Sequence, residues 1–160
     1  FNLLSALGLD TSADIAIGSV PLPDLSAIDV VDFNTDVEQA VGNSSSVQNA
    51  RHQSAGTATE ISVKSDYVSQ AEGTVRSRMQ SLYEQLKAAK LQYEGAEAAY
   101  QSASITYASL QKKQQAGMLS QSDYLQGVVD YYSALDAKET AVVNLNQAWE
   151  TYNWTVKGVS

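Results

Sequence analysis

The sequence predicts an all-α protein built on one long antiparallel coiled-coil hairpin, with shorter helices beside it. Two runs, from Val75 to Leu110 and from Tyr124 to Val156, carry apolar side chains at alternating spacings of four and three residues. A short polar stretch containing Gly117 separates them. Because a seven-residue repeat keeps its apolar stripe against a partner only when two helices coil around each other, we expect the two runs to pair.

Each apolar stripe consists of residues spaced alternately by four and three positions. The incoming helix contributes Val75, Met79, Leu82, Leu86, Ala89, Tyr93, Ala96, Tyr100, Ala103, Tyr107 and Leu110. The outgoing helix contributes Tyr124, Val128, Tyr131, Leu135, Lys138, Val142, Leu145, Trp149, Tyr152 and Val156. Lys138 is the only polar member of the second stripe. At about 1.5 Å per residue, each arm of the hairpin is expected to extend roughly 55–60 Å.

The reversal between the arms defines the predicted tip, residues 115–122. The tip consists of Gln115, Ala116, Gly117, Met118, Leu119, Ser120, Gln121 and Ser122. Gly117 lacks a Cβ and therefore suits the left-handed residue that ends many helices. Ser120 is expected to cap the second arm, and Asp123 to complete that cap at the positive end of the helix dipole.

The chain before the hairpin divides into two predicted parts. Residues 1–35 are expected to hold the end of a preceding helix, stopped at Gly8, followed by an irregular segment with Pro21 and Pro23. Proline in a helix interior removes a hydrogen bond and clashes with the preceding turn, so this segment should not be a continuous helix. Residues 36–158 are then expected to form the helical hairpin domain.

Two arrangements are open for the residues that lead into the first long arm. A short helix is predicted from Asp36 to Val41, and the serines at 44–46 can cap another that begins near Val47. The chain then forms either one straight helix over residues 46–116 or a second reversal near Gly56. A single glycine costs a helix only about 1 kcal/mol, so Gly56 alone does not decide between them.

The incoming arm carries a second series of small or polar residues with the same four-three spacing. This small-residue series consists of Ala88, Gln92, Gly95, Ala99, Ser102, Thr106 and Ser109. Small side chains allow a further helix to approach closely, as in a closed barrel of helices assembled from several copies. The alternative is an ordinary solvated face, since alanine favours a helix and serine is tolerated in one.

Composition excludes several classes of function. The formal charge of −8 and the lack of clustered Lys or Arg argue against a nucleic-acid partner. The chain has no cysteine and only one histidine, His52, so no zinc site or thiol nucleophile can be assembled. No phosphate-binding loop or nucleophile triad is present. We therefore expect a protein that is not an enzyme and that needs no cofactor.

The chain resembles the second structural repeat of the TolC-like outer-membrane efflux proteins. The residues that carry the resemblance are Tyr93 and Ala96 to Tyr107 before the turn, Gly117, Ser120, Asp123, Tyr124 and Leu125 at the turn, and Ala134, Ala141, Leu145, Ala148, Tyr152 and Gly158 after it. The stretch from Leu3 to Gly8 is similar to the end of the preceding repeat. Ala40, Asn43, Val47 and Ala50 are similar to the opening of this one.

The resemblance implies a fragment of an α-barrel protomer in a homotrimer of the cell envelope. Such a barrel crosses the periplasm, and its tips dock on a membrane-fusion (adaptor) protein of an inner-membrane transporter in efflux or type I export. Acidic residues just after the tip narrow the pore in this family. Asp123 matches the first of these positions, but the second is Gln126, so a double ring of carboxylates is not supported. A plain helix cap is the alternative role of Asp123.

One feature of the family has no counterpart here. Family members insert two membrane strands before the long arm, each of about 9–11 residues in such barrels, whereas only a few residues around 56–64 are free in this sequence. The resemblance therefore does not extend to contact with the outer membrane. The alternative function is a structural or adaptor-like coiled-coil spacer of the envelope that encloses no pore.

Overall fold

The computed structural model describes residues 20–159, and within that range the chain is helical with no β-strand. The helices are α1 (Leu25–Asp29), α2 (Phe33–Asn43), α3 (Ser45–His52), α4 (Ala58–Gln115) and α5 (Gln121–Val156). The all-α prediction is confirmed. The expected helix end before Gly8 lies outside the described residues.

The two long helices pack against each other in opposite directions, as the repeat predicts. Every member of both predicted stripes is buried or half-buried. The buried apolar side chains of the hairpin lie in the half away from the tip, and they include Met79, Leu82, Leu86 and Tyr93 from α4 and Ala141, Val142, Leu145 and Tyr152 from α5. The hydrophobic core of the molecule is therefore this half of the coiled-coil seam, joined by Ile28 of α1 and by Val37 and Ala40 of α2.

The length difference between the long helices explains where the short helices lie. Helix α4 has 58 residues and α5 has 36, so the first turns of α4 extend past the end of α5. Helix α3 packs against α4 there, and α2 packs against both α4 and the end of α5. Arg76 pairs with Glu38 at 2.6 Å and Arg51 with Glu72 at 2.7 Å, which joins α2 and α3 to the long helix.

The chain reverses between α3 and α4. Helix α3 ends at His52 and α4 begins at Ala58, so the alternative of one straight helix over residues 46–116 is wrong and the reversal near Gly56 is correct. Thr57 begins α4 with a capping box, because its hydroxyl accepts from the Glu60 N–H and the Glu60 carboxylate accepts from the Thr57 N–H. The N–H groups of Gly56 and Thr57 lower the pKa of Glu60.

The segment expected to be irregular contains α1, and α2 begins at Phe33, before the predicted start at Asp36. Both helices have an aspartate cap that the sequence analysis overlooked. Asp24 accepts from the N–H groups of Ser26 and Ala27, and Asp32 accepts from the Thr35 N–H. The side-chain hydroxyls of Ser26 and Thr35 also bond these carboxylates and lower the pKa of each aspartate.

The small-residue series of α4 lies on the outside of the hairpin. All seven of its members are exposed, so none of them contributes to the packing of α4 on α5. Leu91 and Ile105, with exposed fractions of 69% and 74%, lie on the same helix and are also outside the seam. Among the described helices, none combines the length and the apolar character that crossing a membrane requires.

Candidate functional site at the hairpin tip

Local hydrogen bonds fix the end of α4 at the tip. The Gly117 N–H donates to the Gln114 carbonyl at 3.0 Å, and the Met118 N–H donates to the Lys113 carbonyl at 2.9 Å. This is the Schellman pattern, which needs a left-handed residue, and Gly117 has φ +69°. The predicted helix stop is confirmed, and the position of the turn is determined by one glycine.

A reciprocal pair of side-chain bonds fixes the start of α5. The Asp123 N–H donates to Ser120 Oγ at 3.1 Å, and that hydroxyl donates to Asp123 Oδ2 at 2.7 Å. The carboxylate thus bonds the capping hydroxyl rather than a backbone N–H, which differs from a standard capping box. Asp123 also stands in the first turn of α5, where the helix dipole favours a negative charge.

The predicted tip residues are available to a partner. Of residues 115–122, only Leu119 is half-buried, and the others are exposed. Met118 presents 77% of its surface to solvent. Because the backbone around it is hydrogen-bonded, this apolar side chain is displayed on an ordered turn.

Asp123 and Gln126 lie one turn apart at the start of α5 and are both exposed. Asp123 is bonded to Ser120, and the Gln126 side chain donates to Asp130 Oδ1 at 2.8 Å. The structure therefore supports the capping role of Asp123. Its second predicted role, in a pore constriction, requires several copies of the chain and stays a prediction.

Behind the tip, tyrosine side chains fill the seam between α4 and α5. We define the tyrosine cluster as Tyr100, Tyr107, Tyr124, Tyr131 and Tyr132. Four of the five belong to the predicted stripes, but their contacts with one another were not predicted. Their seven-residue spacing, 100 to 107 and 124 to 131, was the available signal.

The hydroxyl groups of the tyrosine cluster meet across the seam. The hydroxyls of Tyr100 and Tyr131 are 3.2 Å apart, and those of Tyr107 and Tyr124 are 3.4 Å apart. The hydrogen bond that Tyr131 shares with Tyr100 raises the pKa of Tyr131, and the one that Tyr124 shares with Tyr107 raises the pKa of Tyr124. The phenols of Tyr124 and Tyr131 therefore stay neutral to a higher pH than an ordinary tyrosine does.

Lys138, the polar member of the second stripe, forms a charged layer in the seam. Its Nζ lies 2.9 Å from Glu97 Oε2 and 4.8 Å from the centre of the Tyr100 ring. Gln101 donates to the other carboxylate oxygen of Glu97. The Lys138 contact, with help from Gln101, lowers the pKa of Glu97, and Glu97 in turn raises the pKa of Lys138. Along the seam, this layer lies between the tyrosine cluster and the hydrophobic core in the half of the hairpin away from the tip.

The capacity for metal binding and the likeness to known proteins complete the description of the site. Within residues 20–159 there is no group of three or more His, Cys, Asp or Glu side chains that could hold a metal ion. Comparison of the chain with protein-family models, with curated proteins and with solved structures finds no match in any of the three.

Proposed function

We propose that this chain is a channel component of a TolC-like efflux or type I export system. In this proposal, copies of the hairpin form a periplasmic α-helical barrel and the tip docks on a membrane-fusion (adaptor) protein. The observation that carries the proposal is an exposed, locally fixed tip on two long helices, together with a small-residue series that is exposed within residues 20–159. The function is passive conduction, and no residue acts as a catalyst.

The small-residue series supports assembly from several copies. Its side chains are small and exposed, and they repeat with the same four-three spacing as the seam that is already filled. Small residues allow backbones to approach closely, and a repeated seven-residue spacing lets two helices stay in register over several turns. A homotrimer in the envelope would cover this face, with an inner-membrane transporter beyond the adaptor.

The number of copies and the presence of a pore are the first test. Mass measured in solution, combined with electron-microscope images of the same sample, is expected to give a trimer with a central hole. A monomer, or a filled rod without a hole, would contradict the conduit and would favour the second candidate. That candidate is a coiled-coil spacer of the envelope, which needs only the seam between α4 and α5.

A pair of glycine variants tests the role of the small-residue series. Both Gly95 and Gly73 lie within α4, and a Cβ added at either position meets nothing within 4 Å. Gly95→Leu is expected to weaken self-association, because a large side chain separates two closely packed helices. Gly73→Leu lies outside the series and is expected to leave self-association unchanged. Equal effects of the two variants would dismiss the series as an interface.

Ion conductance through the assembled channel tests the second role of Asp123. Asp123→Asn keeps an oxygen that can accept the bond from Ser120 but removes the charge, so helix content should be nearly unchanged. If Asp123 lines a constriction, the variant is expected to lose selectivity for cations. Unaltered selectivity would leave Asp123 as a helix cap only.

A further inference from the structure

The tyrosine cluster is a connected group of phenol rings that the proposed function does not use. It holds five of the nine tyrosines of the chain. Tyr131 lies at its centre, with ring centres 4.8 Å from Tyr107, 5.3 Å from Tyr132 and 5.7 Å from Tyr100. Phenols are the side chains in this cysteine-free protein that most readily lose one electron and one proton together and then couple to each other.

The Tyr100–Tyr131 pair has the geometry that coupling requires. In dityrosine the new bond joins the two carbons next to the hydroxyls, so the hydroxyls must already be neighbours. They are 3.2 Å apart in this pair, and the ring planes are inclined by 43°. Tyr107 and Tyr131 are stacked face to face at 22°, which places ring faces rather than these carbons together.

The competing pair, Tyr107 and Tyr124, is farther apart in both its hydroxyls and its ring centres. Its hydroxyls are 3.4 Å apart, its ring centres are 6.3 Å apart and its ring planes are inclined by only 27°. An oxidant can reach the cluster through Tyr132, which is 59% exposed and meets the Tyr131 ring edge-on. A radical formed on Tyr132 can then pass to Tyr131, because the two ring centres are only 5.3 Å apart.

We propose that the tyrosine cluster is an oxidative modification site, at which a haem peroxidase acting with hydrogen peroxide joins Tyr100 to Tyr131 as dityrosine. The reaction takes one electron and one proton from each phenol. The two radicals form a carbon–carbon bond, and the ring hydrogens at the joined carbons move to the oxygens, which restores both phenols. Hydrogen peroxide accepts the two electrons and two protons and becomes two molecules of water.

The product is a covalent link between α4 and α5 in the half of the hairpin near the tip. A cross-link within one chain restricts the unfolded ensemble, as a disulfide does, and therefore raises the melting temperature. The cross-link strengthens the part of the hairpin that has the fewest fully buried side chains. This inference concerns a single chain and is independent of the proposed channel.

The test uses the dilute protein with horseradish peroxidase and hydrogen peroxide. The expected product, separated under denaturing conditions, is a single chain that shows dityrosine fluorescence and has lost two hydrogen atoms. Oxidation of the exposed Met118 is distinguished by mass, because it adds an oxygen atom. Cleavage after lysine should join peptide 91–112 to peptide 114–138, which contain Tyr100 and Tyr131 respectively.

Tyrosine-to-phenylalanine variants locate the linked residues. Tyr100→Phe and Tyr131→Phe should each reduce the fluorescent monomer to the background of the urea-unfolded protein. Tyr67→Phe is the matched control, because Tyr67 is 53% exposed on the same helix and makes no aromatic contact within the described residues. Circular dichroism of each variant shows that loss of product does not reflect loss of the helices.

Three results would overturn the proposal. The first is a wild-type protein that stays uncoupled while free tyrosine in the same solution is oxidised. The second is product that persists in folded Tyr100→Phe or Tyr131→Phe. The third is cross-linking only between chains through exposed residues such as Tyr67 or Tyr132.

Discussion

At the scale of single residues, two glycines end the long helices under different constraints. Gly117 has φ +69° and open space around it, so only its backbone conformation restricts the side chain. Gly158 has φ +81°, and a Cβ added there would lie 2.4 Å from the Asn43 carbonyl oxygen. The end of α5 is therefore held against the end of α2, where Asn43 also donates its side-chain N–H to the Val156 carbonyl at 2.8 Å.

Alanine substitutions separate these two constraints. Gly117→Ala should cost about 1–2 kcal/mol, because an L-residue is placed in the left-handed region. Gly158→Ala should cost more than Gly117→Ala, since α2 and α5 must also separate. Gly73→Ala, inside α4 and in open space, should instead stabilise by about 0.5–1 kcal/mol. Urea unfolding followed by circular dichroism checks this order, and an equal loss for Gly117→Ala and Gly158→Ala would contradict the contact with Asn43.

Tyr152 links the seam to α2 through one partly buried hydrogen bond. Its ring is 1% exposed, and its hydroxyl donates to Asp36 Oδ2 at 2.8 Å. Tyr152→Phe removes a bond to a charged acceptor, which should cost about 1.5–3 kcal/mol. Thermal unfolding at neutral pH measures the loss. A variant as stable as the wild type would show that water replaces the hydroxyl without cost.

Tyr152 should also make the stability of the folded protein depend on pH in the alkaline range. Burial, followed by the bond to Asp36, raises the pKa of Tyr152 in the folded protein. Folding thus favours the neutral phenol. Its contribution to the free energy of unfolding is complete below about pH 10, the pKa of tyrosine in the unfolded chain, and is lost as pH rises toward the pKa of the folded protein. Above pH about 10, the melting temperature of the wild type should fall more steeply than that of Tyr152→Phe. Melting temperatures that fall equally with pH in the two proteins would contradict the raised pKa of Tyr152 as the cause.

At the scale of helices, seven-residue spacing was sufficient to identify both faces of the seam. Each stripe member from Val75 to Val156 is removed from solvent because a helix places residues three and four apart on one side. The tip was also predictable, since Gly117 and Ser120 act through their own neighbours in the chain. The site residues at the tip thus follow from local chemistry.

Contacts between distant segments could not be predicted in the same way. The Asn43 carbonyl beside Gly158 and the ion pair of Lys90 with Asp29 join residues far apart in sequence, and one sequence contains no record of such pairs. The hydroxyl contacts of the tyrosine cluster depend on the register of α4 against α5. Spacing placed Tyr100 and Tyr131 in the seam but did not specify their separation.

The charged layer of Lys138 and Glu97 makes a prediction at this scale. Lys138→Met leaves Glu97 in the seam without its cation, and Glu97→Gln leaves Lys138 without its carboxylate. The double variant should be more stable than the sum of the two losses predicts, with a coupling of about 0.5–3 kcal/mol. Urea unfolding of the four proteins measures this coupling. The more exposed pair of Arg51 and Glu72 is the control and should show a smaller coupling.

The pair of Lys138 and Glu97 should also make the stability of the folded protein depend on pH in the acid range. The pKa of Glu97 is lowered in the folded protein. The carboxylate therefore contributes to the free energy of unfolding above about pH 4.3, the pKa of glutamate in the unfolded chain, and this contribution is lost as pH falls. Glu97→Gln should therefore lose less stability than the wild type on acidification below about pH 5. Identical acid profiles would show that the pair contributes nothing to folding.

At the scale of the whole molecule, the buried core is concentrated away from the tip. The fully buried residues of α4 lie between Met79 and Tyr93, and no residue of α4 beyond Tyr93 is fully buried. In α5 all of them except Gly127 lie between Ala141 and Thr155. Helices α1–α3 join the molecule at the same end through three ion pairs with α4. Stability should thus decrease along the hairpin toward the tip.

Amide hydrogen exchange measures this gradient directly. Local opening is easiest where few apolar side chains are buried, so protection should be highest over residues 79–93 and 141–155 and lower over 108–128. Oxidative coupling of Tyr100 to Tyr131 should raise protection mainly on the tip side and leave residues 79–93 unchanged. The Tyr67→Phe protein, which keeps the coupling pair, should show the same increase after oxidation. Uniform protection along α4 as far as Gln115 would contradict the gradient, because it would mean that the hairpin opens only as one unit.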